Sequence, residues 1–219
     1  MNAEAAVRRE VDYGVYLVTD RALCRGRALA DVVAAAVAGG VTVVQLREKH
    51  ADTHEFVELA RALKALLAPR GVPLLINDRV DVAQACRADG VHVGQGDMHP
   101  AEVRALLGHT ALVGLSVETM DQAREAETLD VDYLGVSPVF ATPTKTDTAP
   151  PWGLDGLARL RAATGRTLVA IGGIGAANAA SVLTAGADGL AVVSALCAAD
   201  DPERAAAELR RAVRTVRGW

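Results

Sequence analysis

Short runs rich in β-branched residues alternate with longer Ala- and Leu-rich stretches from one end of the chain to the other. Runs of that length read as strands, and the stretches between them have the spacing of helices that bury one face. The pattern predicts eight strands: Val15–Thr19, Thr42–Leu46, Pro73–Ile76, Gly90–Val93, Ala111–Leu115, Asp132–Val136, Thr167–Ile171 and Gly189–Val193. Each is followed by helix-compatible sequence, and a last helix is expected over Pro202–Val216. The strand runs are nearly continuously apolar, the signature of strands buried on both faces and joined in parallel by helical crossovers.

A weak internal repeat supports the count. In AGGVTVVQLR, RADGVHVGQ, LDVDYLGVSP and AGADGLAVVSA, a small or acidic turn leads into an apolar strand that ends in a polar residue or glycine. Eight such units close most simply into one α/β domain, a (β/α)8 TIM barrel over residues 1–219, with residues 1–13 as a short N-terminal lead. An open doubly wound sheet shares the same local pattern. Ser137–Gly153 is rich in Pro and Thr and lacks helical periodicity, so it reads as a long loop after the sixth strand. In a barrel that loop lies at the catalytic face.

Composition narrows the classes of partner. A formal charge of −4 and a pI near 5.7 argue against general affinity for nucleic acid or anionic membranes. Cys24, Cys86 and Cys197 are widely spaced, odd in number and outside any ligand motif, as expected of reduced thiols. Met1–Asp12 lacks the apolar core of a signal peptide, and no apolar run is long enough to span a bilayer. The expected compartment is the cytoplasm. Barrel helices can also pair copies of a chain, which leaves a homo-oligomer open, although no interface motif identifies one.

Several strand ends carry candidate chemistry. Gln45, Arg47 and Lys49 lie two apart, so an extended chain turns all three toward one face, expected to be the barrel mouth. Two inward cations and an amide call for an anion, and a diphosphate would satisfy them; a solvated strand end is the plainer reading. Asp78 follows the third strand and Asp97 the fourth, which brings two hard oxygen ligands together as Mg²⁺ prefers. Either aspartate alone could instead cap a helix. Gly172-Gly173 after strand seven and Val193-Ser194 after strand eight mark the region where barrels often hold a phosphate, although a glycine pair can also simply make a turn.

Thr142, Thr144 and Lys145 in the long loop offer two hydroxyls and a cation for a cover over an anionic substrate, or a solvated polar loop. Trp152 is expected to anchor that loop by packing. The five histidines form no HExxH or similar pattern, no GxSxG elbow occurs, and His92 reads as a packed or hydrogen-bonded residue rather than a base.

The ordered set YLVTD, QLREK, NDR, HVGQGD, GLSVET, GVSPVFATPTKT, AIGGI and AVVSA resembles thiamine phosphate synthase, from Tyr16 to Ser194. That family is a group of transferases that condense 4-amino-2-methyl-5-(hydroxymethyl)pyrimidine diphosphate with 4-methyl-5-(2-phosphoethyl)thiazole, or its carboxylated form. They release diphosphate, form thiamine phosphate and use Mg²⁺. The resemblance implies that Gln45, Leu46, Arg47, Glu48, Lys49, Asn77, Ser116 and Lys145 hold the pyrimidine diphosphate, with Arg47, Lys49, Ser116 and Lys145 acting in catalysis. It places the metal on Asp78 and Asp97, and the thiazole phosphate on Thr142, Pro143, Thr144, Gly173, Val193 and Ser194. Gly96 stands where some members carry an acidic residue beside the second metal aspartate, which bears on metal affinity.

Two alternatives remain at this level. A thiazole tautomerase would keep the phosphate end without the diphosphate constellation, and a noncatalytic barrel could bind thiamine precursors without releasing diphosphate. A phosphosugar epimerase would need acid and base residues at strand ends in an arrangement that does not occur here.

Overall fold

The computed structural model describes residues 10–142 and 149–218. Residues 1–9 of the expected lead and residues 143–148 of the long loop lie outside them. The first half runs β1 (Val15–Val18), α1 (Leu29–Ala38), β2 (Val43–Leu46), α2 (Thr53–Leu67), β3 (Leu74–Asn77), α3 (Val80–Cys86), β4 (Gly90–Val93) and α4 (Pro100–Leu107). The second runs β5 (Leu112–Val117), α5 (Met120–Ala126), β6 (Tyr133–Val136), α6 (Gly153–Ala163), β7 (Leu168–Ile171), α7 (Ala179–Thr184), β8 (Gly189–Val192), α8 (Ser194–Cys197) and α9 (Pro202–Arg217).

The strands form a closed parallel barrel in sequence order, with β8 pairing back onto β1, so the sheet is not the open doubly wound one. Most strands lie within a residue of their expected bounds. β5 runs two residues further, to Val117, and carries Ser116 into the sheet.

The continuously apolar strands divide by alternation between two cores. Outward residues such as Val15, Leu17, Val44, Leu46, Leu74 and Ile76 join the helices in one large annular cluster. Inward residues, including Tyr16, Val18, Val43, Leu75, Tyr133 and Val169, fill the barrel itself. That interior is packed large against small. A Cβ on Gly114 would enter the Tyr133 ring, and one on Gly135 would lie 2.7 Å from His92 Cε1. Glycines on β5 and β6 therefore make room for the aromatic and imidazole side chains beside them.

The acidic turns of the repeat have a structural purpose. Asp89, Asp132 and Asp188, just before β4, β6 and β8, each accept the backbone N–H of a residue near the start of the preceding strand: Leu74 (2.8 Å), Val113 (2.7 Å) and Leu168 (2.8 Å). Their own N–H groups donate back to the carbonyls of the same residues. Each carboxylate also pairs with a cation from the helix that leads into that preceding strand, Lys64 of α2, Arg104 of α4 or Arg161 of α6. Before β2 the role falls to Thr42, whose hydroxyl accepts from Val15 N at 3.2 Å. Four equivalent clasps thus satisfy backbone groups at the floor of the barrel and fix strand register there.

Asp201 caps the start of α9, its side chain accepting Arg204 N at 3.0 Å; Pro202 opens the helix and Gly218 caps its end. Buried Ala206, Leu209 and Val213 seal it against the outer ring, where it packs on α1 and α7.

Candidate active site

At the C-terminal ends of the strands the barrel opens into a cavity of about 650 Å³. β2 directs Gln45 inward, and the turn after it brings Arg47 and Lys49 to the same cavity. Arg47 is held by its backbone, whose N–H donates to Thr19 Oγ1 at 3.0 Å, and its guanidinium stands 3.9 Å from Asp20. Lys49 Nζ donates to Asp78 at 2.6 Å.

Leu46 and Glu48 do not turn this way. Leu46 is fully buried in the outer annulus, as strand alternation requires. Glu48 turns away to Arg21, 3.0 Å distant, and burial raises its carboxyl above the ordinary range. Neither residue lines the cavity.

Asn77 ends β3 and Asp78 follows it with φ of 61°, a left-handed conformation uncommon for a residue with a side chain. A hydrogen bond from its N–H to His92 O (2.9 Å) holds that conformation, an outlier of the kind that collects at functional sites. Asp97 folds back so that its carboxylate accepts Gly94 N at 2.7 Å. Neither aspartate is a helix cap: Arg79 occupies that position for α3 and His99 for α4. Burial raises the Asp97 carboxyl and the adjacent Asp78 raises it further, with Lys49 opposing both. Among the described residues no group of three or more His, Cys, Asp or Glu gathers as a metal site. A Cβ on Gly96 would meet nothing within 4 Å, so the turn itself has space for a side chain there.

Across the cavity lie Thr142, Gly172, Gly173, Val193 and Ser194. Gly172 and Gly173 have φ of 104° and 65°, and a Cβ on either would lie within 3 Å of Pro138 or Phe140 in the loop after β6. Glycine is thus required there both for the turn and for close packing. Asn178 steadies this turn, donating to Gly173 O at 2.8 Å and accepting Gly175 N at 2.9 Å. Trp152 anchors the far end of the long loop: its N–H groups donate to Ser137 O (3.3 Å, ring) and Pro138 O (2.9 Å, backbone). Pro143, Thr144 and Lys145 lie outside the described residues.

At the floor of the cavity, sequence reasoning read His92 as a packed or hydrogen-bonded residue, and it bonds Tyr133 and Ser116, but passed over the tyrosines beside it. Tyr16, His92 and Tyr133 line that floor, and all three tyrosines of the chain meet in the barrel, Tyr13 and Tyr16 both packing on Tyr133. The available signal was an aromatic residue with a polar tip at an inward strand position. In a chain so poor in aromatics, that placement is informative.

Residues 15–196 match the family model described as thiamine monophosphate synthase. The chain belongs to that family. Relatives within the thiamine monophosphate synthase family include the thiamine-phosphate synthases of Albidiferax ferrireducens, 62% identical over 202 residues (92% of each chain), and Solidesulfovibrio magneticus, 62% identical over 199 residues (91% of this chain, 94% of the other). The solved thiamine phosphate pyrophosphorylase of Pyrococcus furiosus superposes with a TM-score of 0.86 at 38% identity, covering 94% of this chain and 97% of that one. Thiamine monophosphate synthase membership makes the protein an enzyme of the transferase type, and the cavity at the strand ends is where its chemistry belongs.

Proposed function

We propose that the protein joins the hydroxymethylpyrimidine diphosphate to the thiazole phosphate, forming thiamine phosphate and diphosphate. The observation that carries this reading is a single cavity with Arg47, Lys49, Asp78 and Asp97 on one side and Gly173, Val193 and Ser194 on the other. Two anionic substrates could occupy it face to face.

Mg²⁺ is part of the proposal. Asp78 and Asp97 are hard oxygen donors side by side, and the raised carboxyl of Asp97 reflects burial together with excess negative charge beside it. Mg²⁺ commonly takes one or two carboxylates and completes its shell with water and phosphate oxygens. When bound, it supplies neutralisation of diphosphate charge.

Arg47, Lys49 and, from the long loop, Lys145 hold the diphosphate and stabilise the charge that grows on it as the C–O bond breaks. Gln45, Asn77 and Ser116 orient the pyrimidine end. The electron-rich aminopyrimidine carries the resulting methylene cation. The thiazole nitrogen captures it, held nearby through its phosphate by Thr142, Pro143, Thr144, Gly173, Val193 and Ser194. No protein nucleophile is needed; positioning and electrostatics supply the rate. The cytoplasm is the proposed compartment, and among the described residues no helix is long and apolar enough to cross a membrane.

Purified protein with both substrates and Mg²⁺ is expected to form thiamine phosphate. Asp78→Asn and Asp97→Asn should raise the Mg²⁺ concentration needed for half-maximal rate. An unchanged Mg²⁺ requirement in both variants would contradict the metal assignment.

A further inference from the structure

A continuous chain of hydrogen bonds crosses the floor of the cavity. Gln45 Nε2 donates to Tyr16 Oη at 2.8 Å, Tyr16 Oη meets Tyr133 Oη at 2.8 Å, Tyr133 Oη meets His92 Nδ1 at 2.8 Å, and His92 Nε2 meets Ser116 Oγ at 2.8 Å. Its members come from β2, β1, β6, β4 and β5, and Tyr16 and Tyr133 are each only 1% exposed. A phenol so deeply placed keeps its donor and its acceptor in use.

Proton counting gives the chain one direction. Tyr16 accepts from Gln45, so its single proton goes to Tyr133. Tyr133, having accepted, donates to His92 Nδ1, which is then the unprotonated nitrogen. The imidazole proton sits on Nε2 and is donated to Ser116 Oγ. Ser116 thereby accepts from below and has its own O–H to donate, while Gln45, with its amide nitrogen committed to Tyr16, presents Oε1.

We propose that Tyr16, Tyr133 and His92 are positioning residues whose one-directional hydrogen-bond chain presents Gln45 Oε1 as an acceptor and the Ser116 hydroxyl as a donor, selecting a ring with an amino donor and a ring-nitrogen acceptor. The selection of that ring rests on the substrate reading above; the direction of the chain does not. An aminopyrimidine carries both groups, whereas the oxo form of a hydroxypyrimidine of the same shape turns a carbonyl acceptor toward Gln45 Oε1 in place of the amine donor. Because the chain is cooperative, its two ends are set together. Turning the Gln45 amide round would reverse every link, move the histidine proton to Nδ1, and leave Ser116 Oγ an acceptor.

The test is a long-range ¹H–¹⁵N correlation spectrum of histidine-labelled protein at neutral pH, with His92 identified by loss of its signals in His92→Gln. The expected result is the Nε2–H tautomer in the wild type and a mixed tautomer in Tyr133→Phe, which keeps the ring and cuts the chain at its centre. Tyr133→Phe and Tyr16→Phe should also raise KM for the pyrimidine diphosphate about tenfold, the effect of losing one oriented hydrogen bond, with KM for the thiazole phosphate unchanged. An Nδ1–H tautomer in the wild type, or a tautomer indifferent to Tyr133→Phe, overturns the proposal. The expected tautomer pattern in a protein that binds neither substrate would uphold the chain and refute the substrate reading instead.

Discussion

The clasps at the barrel floor make a prediction that can be worked from burial alone. Arg104 and Arg161 occupy equivalent places, each joining a helix to the aspartate that precedes an even-numbered strand. Their surroundings differ. The Arg104 side chain is 4% exposed and that of Asp132 10%, while Arg161 and Asp188 are 28% and 42% exposed. Arg104 also donates to the carbonyls of Asp130 (3.0 Å) and Ala111. Arg104→Leu would leave the Asp132 carboxylate buried without its cation, a loss of about 3–5 kcal/mol. Arg161→Leu would break a pair that water already screens, costing about 0–1 kcal/mol. For a chain of this size each kcal/mol moves Tm by about 2–4 °C, so Arg104→Leu should lower Tm by roughly 6–20 °C and Arg161→Leu by about 4 °C at most. Thermal unfolding followed by circular dichroism measures both. In Arg104→Leu/Asp132→Asn part of the loss should return, because no unpaired charge is then buried. Equal shifts in the two single variants would refute the argument that burial, rather than the clasp motif itself, sets the energy.

Arg47→Ala should lower turnover by on the order of a hundredfold or more, the scale of removing one preorganised electrostatic group, and full activity in steady-state assays would discredit its assignment. Gly173→Val imposes a side chain where φ is 65° and Phe140 Cβ lies 2.8 Å from the new Cβ, so it should chiefly raise KM for the thiazole phosphate; an unchanged KM argues against that subsite. Burial pushes the Cys197 thiol from its ordinary value of 9.0 up to about 12. The folded state therefore keeps a proton that the unfolded chain releases: this contribution to stability is complete below pH 9 and lost as pH rises toward 12, at up to about 1.4 kcal/mol per pH unit. Cys197→Ala should flatten the alkaline limb of a urea-midpoint profile, and an identical slope would show that other groups govern it.

Much of the barrel was legible because its strands are buried on both faces. Continuous apolar runs such as Val15–Val18 and Leu168–Ile171 stand out against polar turns, and their spacing fixed their number and order. Closure was not local information; it became visible only in the pairing of Tyr16 with Ala191. The acidic turns were noticed as a repeat, but their meaning depends on a backbone N–H from another strand and a cation from another helix. The site was legible where chemistry lay at strand ends with two-residue spacing, as in Gln45, Arg47 and Lys49. That legibility did not extend to the side chains of Leu46 and Glu48, which a contiguous motif carries along although alternation turns them outward. It missed Tyr16 and Tyr133, whose polar tips acquire a role only when β1 and β6, more than a hundred residues apart, face each other across the barrel.

The most direct test of the account is diphosphate release by the purified protein, with the pyrimidine diphosphate, the thiazole phosphate and Mg²⁺ each omitted in turn. Release that requires all three and accompanies stoichiometric thiamine phosphate is the predicted result. Tight binding of either precursor with no diphosphate released in the complete mixture would contradict it.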